Sequence, residues 1–171
     1  VHTSIPSVRK DEKPLKILIC NAGSTSQKFK LWEMPGHGEL AEGQIWEATM
    51  FASHYHLDNL CIIVDLNGLQ IDGRTCDVMN TAPVDKKFEA FGCDVVTIDG
   101  HDFEQIEQAM ARFHGNHGTG KPTAILMKTT KGKGVSYMEN QAGWHGKAPN
   151  DEEYAQAMAE LAAARKAIEE G

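Results

Sequence analysis

Two glycine-containing turns of this sequence carry residues that could hold a metal ion beside a phosphate group. The first is a Gly-x-Gly turn at Gly36 and Gly38, placed before a segment with helical periodicity. The second is Asn67-Gly68, which follows an apolar run and lies 30 residues after position 37. Glycine lets the backbone approach a phosphate closely, and asparagine offers the hard oxygen that Mg²⁺ prefers. A loop, a helix and a strand fit between the turns, so both can meet at one edge of a sheet.

Each turn alone also has a simpler interpretation. An Asn-Gly pair after a strand is most often only a turn, and Gly-x-Gly before a helix is a weak signal. The two turns together, at this spacing, are much less likely to occur by chance. We therefore treat them as one candidate site.

The segments around these turns predict an α/β fold, with a parallel sheet and helices on both faces. Apolar runs at 60–64, 94–98 and 123–127 predict strands, and helical patterns cover 41–57 and follow positions 83, 102 and 150. This alternation is typical of parallel strands joined by right-handed crossovers. Ligands of such sheets bind beyond the carboxyl ends of the strands, where Asn67, His101 and the loop 129–134 fall.

The predicted helices have recognisable apolar faces and start signals. Capping boxes are expected at Asp102 with Gln105 and at Asn150 with Glu153. The expected apolar faces are Ile45, Ala48, Ala52 and Tyr55; Val84, Phe88 and Phe91; Phe103, Ile106, Met110 and Phe113; and Tyr154, Met158, Leu161 and Ile168.

The first 35 residues differ in character from the remainder of the chain. Residues 1–14 are polar and are expected to form a disordered leader. Residues 15–35 predict a β-hairpin, with strands at 16–20 and 28–32, which ends at Pro35-Gly36. We therefore divide the chain into a leader, a hairpin and a domain over 36–171.

Composition excludes several classes of protein. The net charge of −7 disfavours nucleic acid as the main partner, because phosphate backbones are bound by a surplus of Lys and Arg. The sequence has no run of 18 apolar residues, so no membrane span is expected. The four cysteines show no CxxC pairing and no zinc motif, which favours reduced thiols and a cytoplasmic location.

Five segments in register resemble the thiamine diphosphate-binding domain of transketolase, from about residue 38 to about residue 160. They are Gly38-Glu39-Leu40-Ala41-Glu42-Gly43-Gln44-Ile45-Trp46-Glu47-Ala48, Asp65-Leu66-Asn67-Gly68-Leu69-Gln70-Ile71-Asp72-Gly73, Asp99-Gly100-His101-Asp102, Thr129-Thr130-Lys131-Gly132-Lys133-Gly134-Val135, and Trp144-His145-Gly146 with Pro149. The resemblance implies transfer of a two-carbon ketol unit between sugar phosphates, with thiamine diphosphate and Mg²⁺ as cofactors.

The resemblance also implies roles for individual residues. Gly38 and Asn67 would contact the diphosphate, and the Asn67 side chain and the Leu69 carbonyl would ligate the metal. Ile71 would pack on the cofactor rings, and His145 would lie near the thiazolium as a proton-transfer group. Without the resemblance, His145 is most simply a loop histidine bonded to backbone.

Two glutamates match family positions that face a dimer interface and communicate with the cofactor's aminopyrimidine. Glu42 is the stronger catalytic candidate, and Glu47 is the second. Acidic residues near a helix N-terminus are also favoured by the helix dipole, which is the simpler interpretation of both. The family has Asp where this chain has His37, so a histidine occupies the usual position of a metal ligand.

The resemblance further implies that the domain is incomplete on its N-terminal side and inactive without a pyrimidine-binding half. That half would come from a second transketolase chain or from a homodimer.

Residues 16–35 are instead similar to the first hairpin of acetate kinase, where a polar loop meets nucleotide phosphate. On that resemblance Asn21, Ser24, Ser26 and Lys28 would be phosphate-side residues. Because it stops where the other resemblance begins, His37 is either a substituted ligand or a junction residue. The alternatives to a transketolase section are a non-catalytic chimeric fragment and a piece of an acetate kinase-like phosphotransferase.

Overall fold

The computed structural model describes residues 16–19 and 39–170, and its centre is a four-stranded parallel sheet. The strands stand in the order β1-β2-β6-β5. A separate two-stranded antiparallel sheet consists of β3 and β4. The strands are β1 (Lys16–Ile19), β2 (Leu60–Leu66), β3 (Leu69–Gln70), β4 (Gly73–Arg74), β5 (Asp94–Asp99) and β6 (Thr123–Lys128).

Five α-helices and two 3₁₀ turns connect and cover the described strands. The helices are α1 (Gly43–His54), α2 (Thr75–Val78), α3 (Val84–Ala90), α4 (Phe103–Gly115) and α5 (Asp151–Glu170). The 3₁₀ turns are Glu39–Ala41 and Ala142–Trp144. No helix in the described part of the chain is long and apolar enough to cross a membrane.

The sheet carries a hydrophobic core on each face, as the predicted α/β fold requires. Alternate residues of β2 point to opposite faces, so Ile62 packs with Phe88 of α3 on one side. On the other side Cys61 packs with Phe113 of α4. Both phenylalanines are fully buried, which fixes the two helices against the sheet. The prediction of a parallel sheet covered on both faces is therefore confirmed.

The pairing register brings the carboxyl ends of three strands to one level. Lys128 at the end of β6 pairs with Leu66 of β2 on one side and with Asp99 of β5 on the other. The residues that follow these three positions therefore emerge side by side at one edge of the sheet. The candidate site lies at this edge.

The strand predicted near residue 16 is present, and it lies in the main sheet. Strand β1 pairs in parallel with β2, with Lys16 opposite Leu60 and Ile19 opposite Ile63. The remainder of the expected hairpin and the expected leader lie outside the described residues. The domain boundary at residue 36 stays a prediction, although β1 precedes it and pairs with β2.

Three of the predicted apolar faces differ from the observed ones. In α1 the buried residues are Thr49 and Ala52, whereas Tyr55 is exposed. Phe103 at the start of α4 is 87% exposed, so the buried face of that helix begins one turn later. In α5 the stripe Tyr154, Met158, Leu161 and Ile168 is exposed and only Ala157 is buried. Helical periodicity identified the helices correctly, but it did not identify which face the fold covers.

Both predicted capping boxes are confirmed. The Asp102 carboxylate accepts the backbone N–H of Glu104 at 2.9 Å and of Gln105 at 3.1 Å. The Asn150 side chain accepts the Glu153 N–H at 2.8 Å, and the Glu153 carboxylate accepts the Asn150 N–H at 2.9 Å. These contacts fix where α4 and α5 begin.

Candidate functional site

The Asn67 side chain is held in one orientation by contacts on both of its polar atoms. Its Nδ2 donates a hydrogen bond to Asp65 Oδ2 at 3.0 Å, and its Oδ1 accepts the Leu69 N–H at 2.9 Å. A carboxylate only accepts, so the amide nitrogen must face Asp65 and the amide oxygen must face Leu69. The amide oxygen has a second lone pair and can also bind a cation.

Two neighbouring strand ends contribute to the same network. The Thr129 hydroxyl, just beyond β6, donates a hydrogen bond to Asp65 Oδ1. The next residue, Thr130, donates its backbone N–H to His101 Nε2 at 2.7 Å. His101 follows β5 and Asp65 lies near the end of β2, so the network joins all three strand ends. The structure thus brings together Asn67, His101 and the 129–134 loop, as predicted from the parallel sheet.

The segment after Asn67 forms a hairpin rather than a plain loop. Strands β3 and β4 pair Leu69 with Arg74, and the Thr75 N–H donates to the Gly68 carbonyl at 3.0 Å. Gly68 has a φ of +75°, a conformation that favours glycine, so the chain can turn directly after Asn67. Ile71 lies between the two short strands and is 65% exposed. The hairpin therefore presents an apolar side chain to solvent beside the strand ends.

A shallow cavity of about 490 Å³ lies at the ends of β5 and β6. Its lining residues are Thr97, Ile98, Asp99, His101, Gln105, Lys128, Thr129, Thr130 and Lys133. No residue predicted to contact the cofactor lines this cavity. The cavity lies on the β5 side of β6, whereas Asn67 and its hairpin follow β2 on the other side.

His145 lies in a segment that is anchored through its neighbours. Its N–H donates to the Ala142 carbonyl at 3.0 Å, at the end of the second 3₁₀ turn. Trp144 donates its indole N–H to the Tyr137 carbonyl at 2.9 Å, and Lys147 lies 3.9 Å from the Trp144 ring centroid. No hydrogen bond among the described residues joins the His145 ring to Asn67.

Glu42 and Glu47 are exposed at the start of α1. Glu42 occupies the N-cap position but makes no side-chain capping bond, and its carboxylate accepts from Gln44 Nε2. Trp46 fixes the start of this helix by donating to the Leu40 carbonyl at 2.9 Å and by packing on Phe88. Both glutamates are therefore on a rigid helix and free to meet another chain.

Several predicted residues lie outside the described part of the chain. These are Gly38 and His37 of the first turn, and Asn21, Ser24, Ser26 and Lys28 of the acetate kinase-like loop. Within 39–170 no cluster of three or more His, Cys, Asp or Glu side chains could hold a metal. A cation among the described residues would therefore depend on the uncharged oxygens of Asn67 and Leu69.

Two cysteines of the core are poor nucleophiles. Burial raises the pKa of Cys61 to about 12, and burial with a smaller effect of Asp94 raises the pKa of Cys93 to about 12. Thiols with such pKa values stay protonated at neutral pH. The chemistry of this site therefore does not involve Cys61 or Cys93.

Sequence reasoning missed the roles of Asp65 and Thr129. Both residues belong to the segments that carry the family resemblance, yet neither was assigned a function. The available signal was position, because each lies at the carboxyl end of a predicted parallel strand. What the sequence could not provide was the register that places Thr129 one residue beyond the Leu66–Lys128 pair.

Comparison with known proteins gives a consistent family relationship. A family model described as the thiamine diphosphate binding domain of transketolase matches residues 11–167. The match includes residues 16–35, for which the acetate kinase resemblance stays a prediction.

Curated relatives are similar over most of this chain. One of the two subunits that carry the name apulose-4-phosphate transketolase, from Actinobacillus succinogenes, is 41% identical over 140 residues, covering 82% of this chain and 50% of the relative. A 6-deoxy-6-sulfo-D-fructose transketolase subunit from a Clostridium species is 40% identical over 131 residues, covering 77% and 47%. The chain thus spans about half the length of these relatives.

Solved transketolase structures share the fold. The Campylobacter jejuni transketolase structure aligns with a TM-score of 0.64 at 33% identity, covering 74% of this chain and 20% of that one. A Pichia stipitis transketolase in complex with sedoheptulose-7-phosphate aligns with a TM-score of 0.59 at 26% identity, covering 79% and 23%.

Proposed function

This chain belongs to the transketolase family, whose thiamine diphosphate-binding domain it carries, and we propose that it is one half of a two-part enzyme. With Mg²⁺, the enzyme would transfer a two-carbon ketol unit between sugar phosphates. Two relatives of similar sequence are named as transketolase subunits, which supports the proposal of a separate partner half.

The observation that carries this proposal is the orientation of Asn67. Asp65 holds the amide nitrogen, so the amide oxygen is on the Leu69 side and retains a lone pair for a cation. The proposed metal ligands are this oxygen and the Leu69 carbonyl, and both are the hard donors that Mg²⁺ prefers. Gly38 would approach the diphosphate, and the phosphate oxygens would complete the coordination.

The exposed hairpin residue Ile71 suits contact with the cofactor rings. A large apolar side chain that is 65% exposed gains free energy when an aromatic ring covers it. Ile71 follows the proposed ligands Asn67 and Leu69 by only a few residues. One cofactor molecule would then contact metal ligands and Ile71 together.

His145 and Glu42 are the proposed catalytic residues. When bound, thiamine diphosphate supplies the nucleophilic carbon that accepts the two-carbon unit. His145 would exchange a proton with a substrate oxygen. The exposed carboxylate of Glu42 would act across the interface with the partner half, toward the aminopyrimidine.

Helix α1 offers a surface for that partner. Met50, Phe51 and Tyr55 are 49%, 58% and 59% exposed, although all three are large and apolar. Phe51 and Tyr55 pack together with ring centroids 4.4 Å apart, so they present one continuous patch. Exposed apolar patches of this kind are typical of protein interfaces. A pyrimidine-binding half, or a second copy of this chain, would cover the patch and meet Glu42.

The proposal is tested by titrating thiamine diphosphate into the protein at millimolar Mg²⁺ in a calorimeter. Asn67→Ala removes the proposed ligand and should weaken binding at least tenfold, a loss of about 1.4 kcal/mol. Asn80→Ala is the matched control, because Asn80 Oδ1 accepts the Ala82 N–H at 3.0 Å in the same local turn but away from the site. Wild-type protein that does not bind thiamine diphosphate would refute the proposed function.

A further inference from the structure

The orientation of Asn67 depends on Asp65, and Asp65 is itself held by Thr129. One carboxylate oxygen of Asp65 accepts the Asn67 amide, and the other accepts the Thr129 hydroxyl. The three side chains are half-buried, so water competes only in part for these contacts. If Thr129 did not hold one oxygen, the carboxylate could rotate and release the amide.

The backbone around Thr129 is fixed on both sides. On one side Lys128 is paired with Leu66 and with Asp99 in the sheet. On the other side the Thr130 N–H is bound to His101 Nε2 at 2.7 Å. The Thr129 hydroxyl is therefore presented to Asp65 by a rigid segment and not by a mobile loop.

We infer that Thr129 is a positioning residue for cofactor binding, acting through Asp65 to hold the Asn67 amide oxygen toward the bound cation. This inference rests on the proposed function, since it concerns the same cation. Residues that orient a metal ligand commonly change metal affinity 10- to 100-fold when they are altered. Thr129 itself contacts neither the cation nor the substrate in this account.

The Thr129 side chain also packs against the backbone, and this gives the test its control. A Cβ atom built on Gly100 would lie 2.5 Å from Thr129 Cγ2, so the methyl group of Thr129 fills the space beside that glycine. Thr129→Val keeps the methyl group and removes the hydroxyl. Thr129→Ser keeps the hydroxyl and removes the methyl group. A positioning role and a packing role therefore predict opposite orders for the two variants.

The experiment measures the dissociation constant of thiamine diphosphate at fixed Mg²⁺ for the full chain and both variants, together with their unfolding in urea. The expected result is binding about tenfold weaker for Thr129→Val and within about twofold of wild type for Thr129→Ser. Wild-type affinity in Thr129→Val, or an equal loss in both variants, would overturn the inference.

A second measurement requires no cofactor. The Asn67 side-chain amide resonances in ligand-free protein report directly on the bond to Asp65. We expect them to be unchanged in Thr129→Ser and shifted toward solvent-exposed values in Thr129→Val. If the wild-type chain does not bind thiamine diphosphate, the proposed function fails, and unchanged amide resonances in Thr129→Val would separately refute the role of Thr129.

Discussion

His101 and Thr130 are 29 residues apart in sequence, and the backbone N–H of Thr130 donates to His101 Nε2 at 2.7 Å. The bond joins the residue two positions beyond β5 to the residue two positions beyond β6. Because the ring nitrogen acts as an acceptor here, it carries no proton in this structure. His101 therefore holds the start of the loop that contains Thr129 and the following Lys/Gly segment.

Replacing His101 with Leu should loosen this loop. The substitution removes the acceptor and leaves the Thr130 N–H without its partner, so that amide should exchange its hydrogen faster. Hydrogen exchange measured over residues 129–134 checks the expectation. His114→Leu is the control, because His114 is exposed on α4 and its ring contacts only Phe113. Equal protection of the loop in wild type and His101→Leu would show that the bond does not order it.

Gly100→Ala should destabilise the protein by about 1–3 kcal/mol. A Cβ at this position would lie 2.5 Å from Thr129 Cγ2 and 3.0 Å from Met127 Cβ, closer than atoms can approach without movement. Gly115→Ala is the matched control, because a Cβ there meets nothing within 4 Å and the residue ends α4. The control should be neutral or more stable by up to about 1 kcal/mol. Urea unfolding of both variants gives the comparison, and equal stability would contradict the packing described at the strand ends.

The ion pair between Asp94 and Arg112 should make stability depend on pH in the acid range. Arg112 donates to both carboxylate oxygens, at 2.8 and 2.6 Å, and this hydrogen bonding lowers the pKa of Asp94 below its usual value. A lowered pKa in the folded state means that the stabilisation is complete above the ordinary Asp value of about 3.9. The stabilisation is lost as the pH falls through the lowered value.

Arg112→Leu should remove that contribution, which is at most about 1 kcal/mol because the arginine is half exposed. The difference in unfolding free energy between wild type and variant should shrink as the pH is lowered from 6 to about 2. Arg165→Leu is the control, since its pair with Glu169 is exposed and lies within α5. A difference that stays constant over this range would contradict the assignment.

His37→Asp should strengthen Mg²⁺-dependent binding of thiamine diphosphate about tenfold or more, a gain of about 1.4 kcal/mol. A carboxylate is a hard, charged ligand for Mg²⁺, whereas imidazole prefers softer metals. His54→Asp adds the same charge on an exposed part of α1 and serves as the control. Affinities that rise equally in both variants would indicate a general effect of charge and not a ligand at position 37.

The strands and helix starts could be predicted because their signals are local. The apolar runs at 60–64, 94–98 and 123–127 mark β2, β5 and β6, and the capping residues Asp102 and Asn150 begin their helices as expected. The side chain that ends up covered depends on neighbours far along the chain. Phe103 and Ile168 have the right spacing for a buried face, but no element among the described residues packs over them.

The candidate site shows the same division between local and long-range information. Asn67 could be selected from its Asn-Gly turn at a strand end. Asp65 and Thr129 could not be selected, because their contact depends on the pairing of β2 with β6 over 64 residues of sequence. The family resemblance implied ligands of the cofactor, and the structure adds the residues that hold those ligands in place.

The most direct test of the central claim is a thermal melt of the protein alone, with thiamine diphosphate and Mg²⁺, and with ATP and Mg²⁺. A ligand that binds only the folded state stabilises it by about 2.7 kcal/mol when its concentration is one hundred times its dissociation constant. We predict a cooperative transition that thiamine diphosphate with Mg²⁺ raises and ATP with Mg²⁺ does not. A transition that is indifferent to thiamine diphosphate, or raised equally by ATP, would contradict a thiamine diphosphate site on this chain.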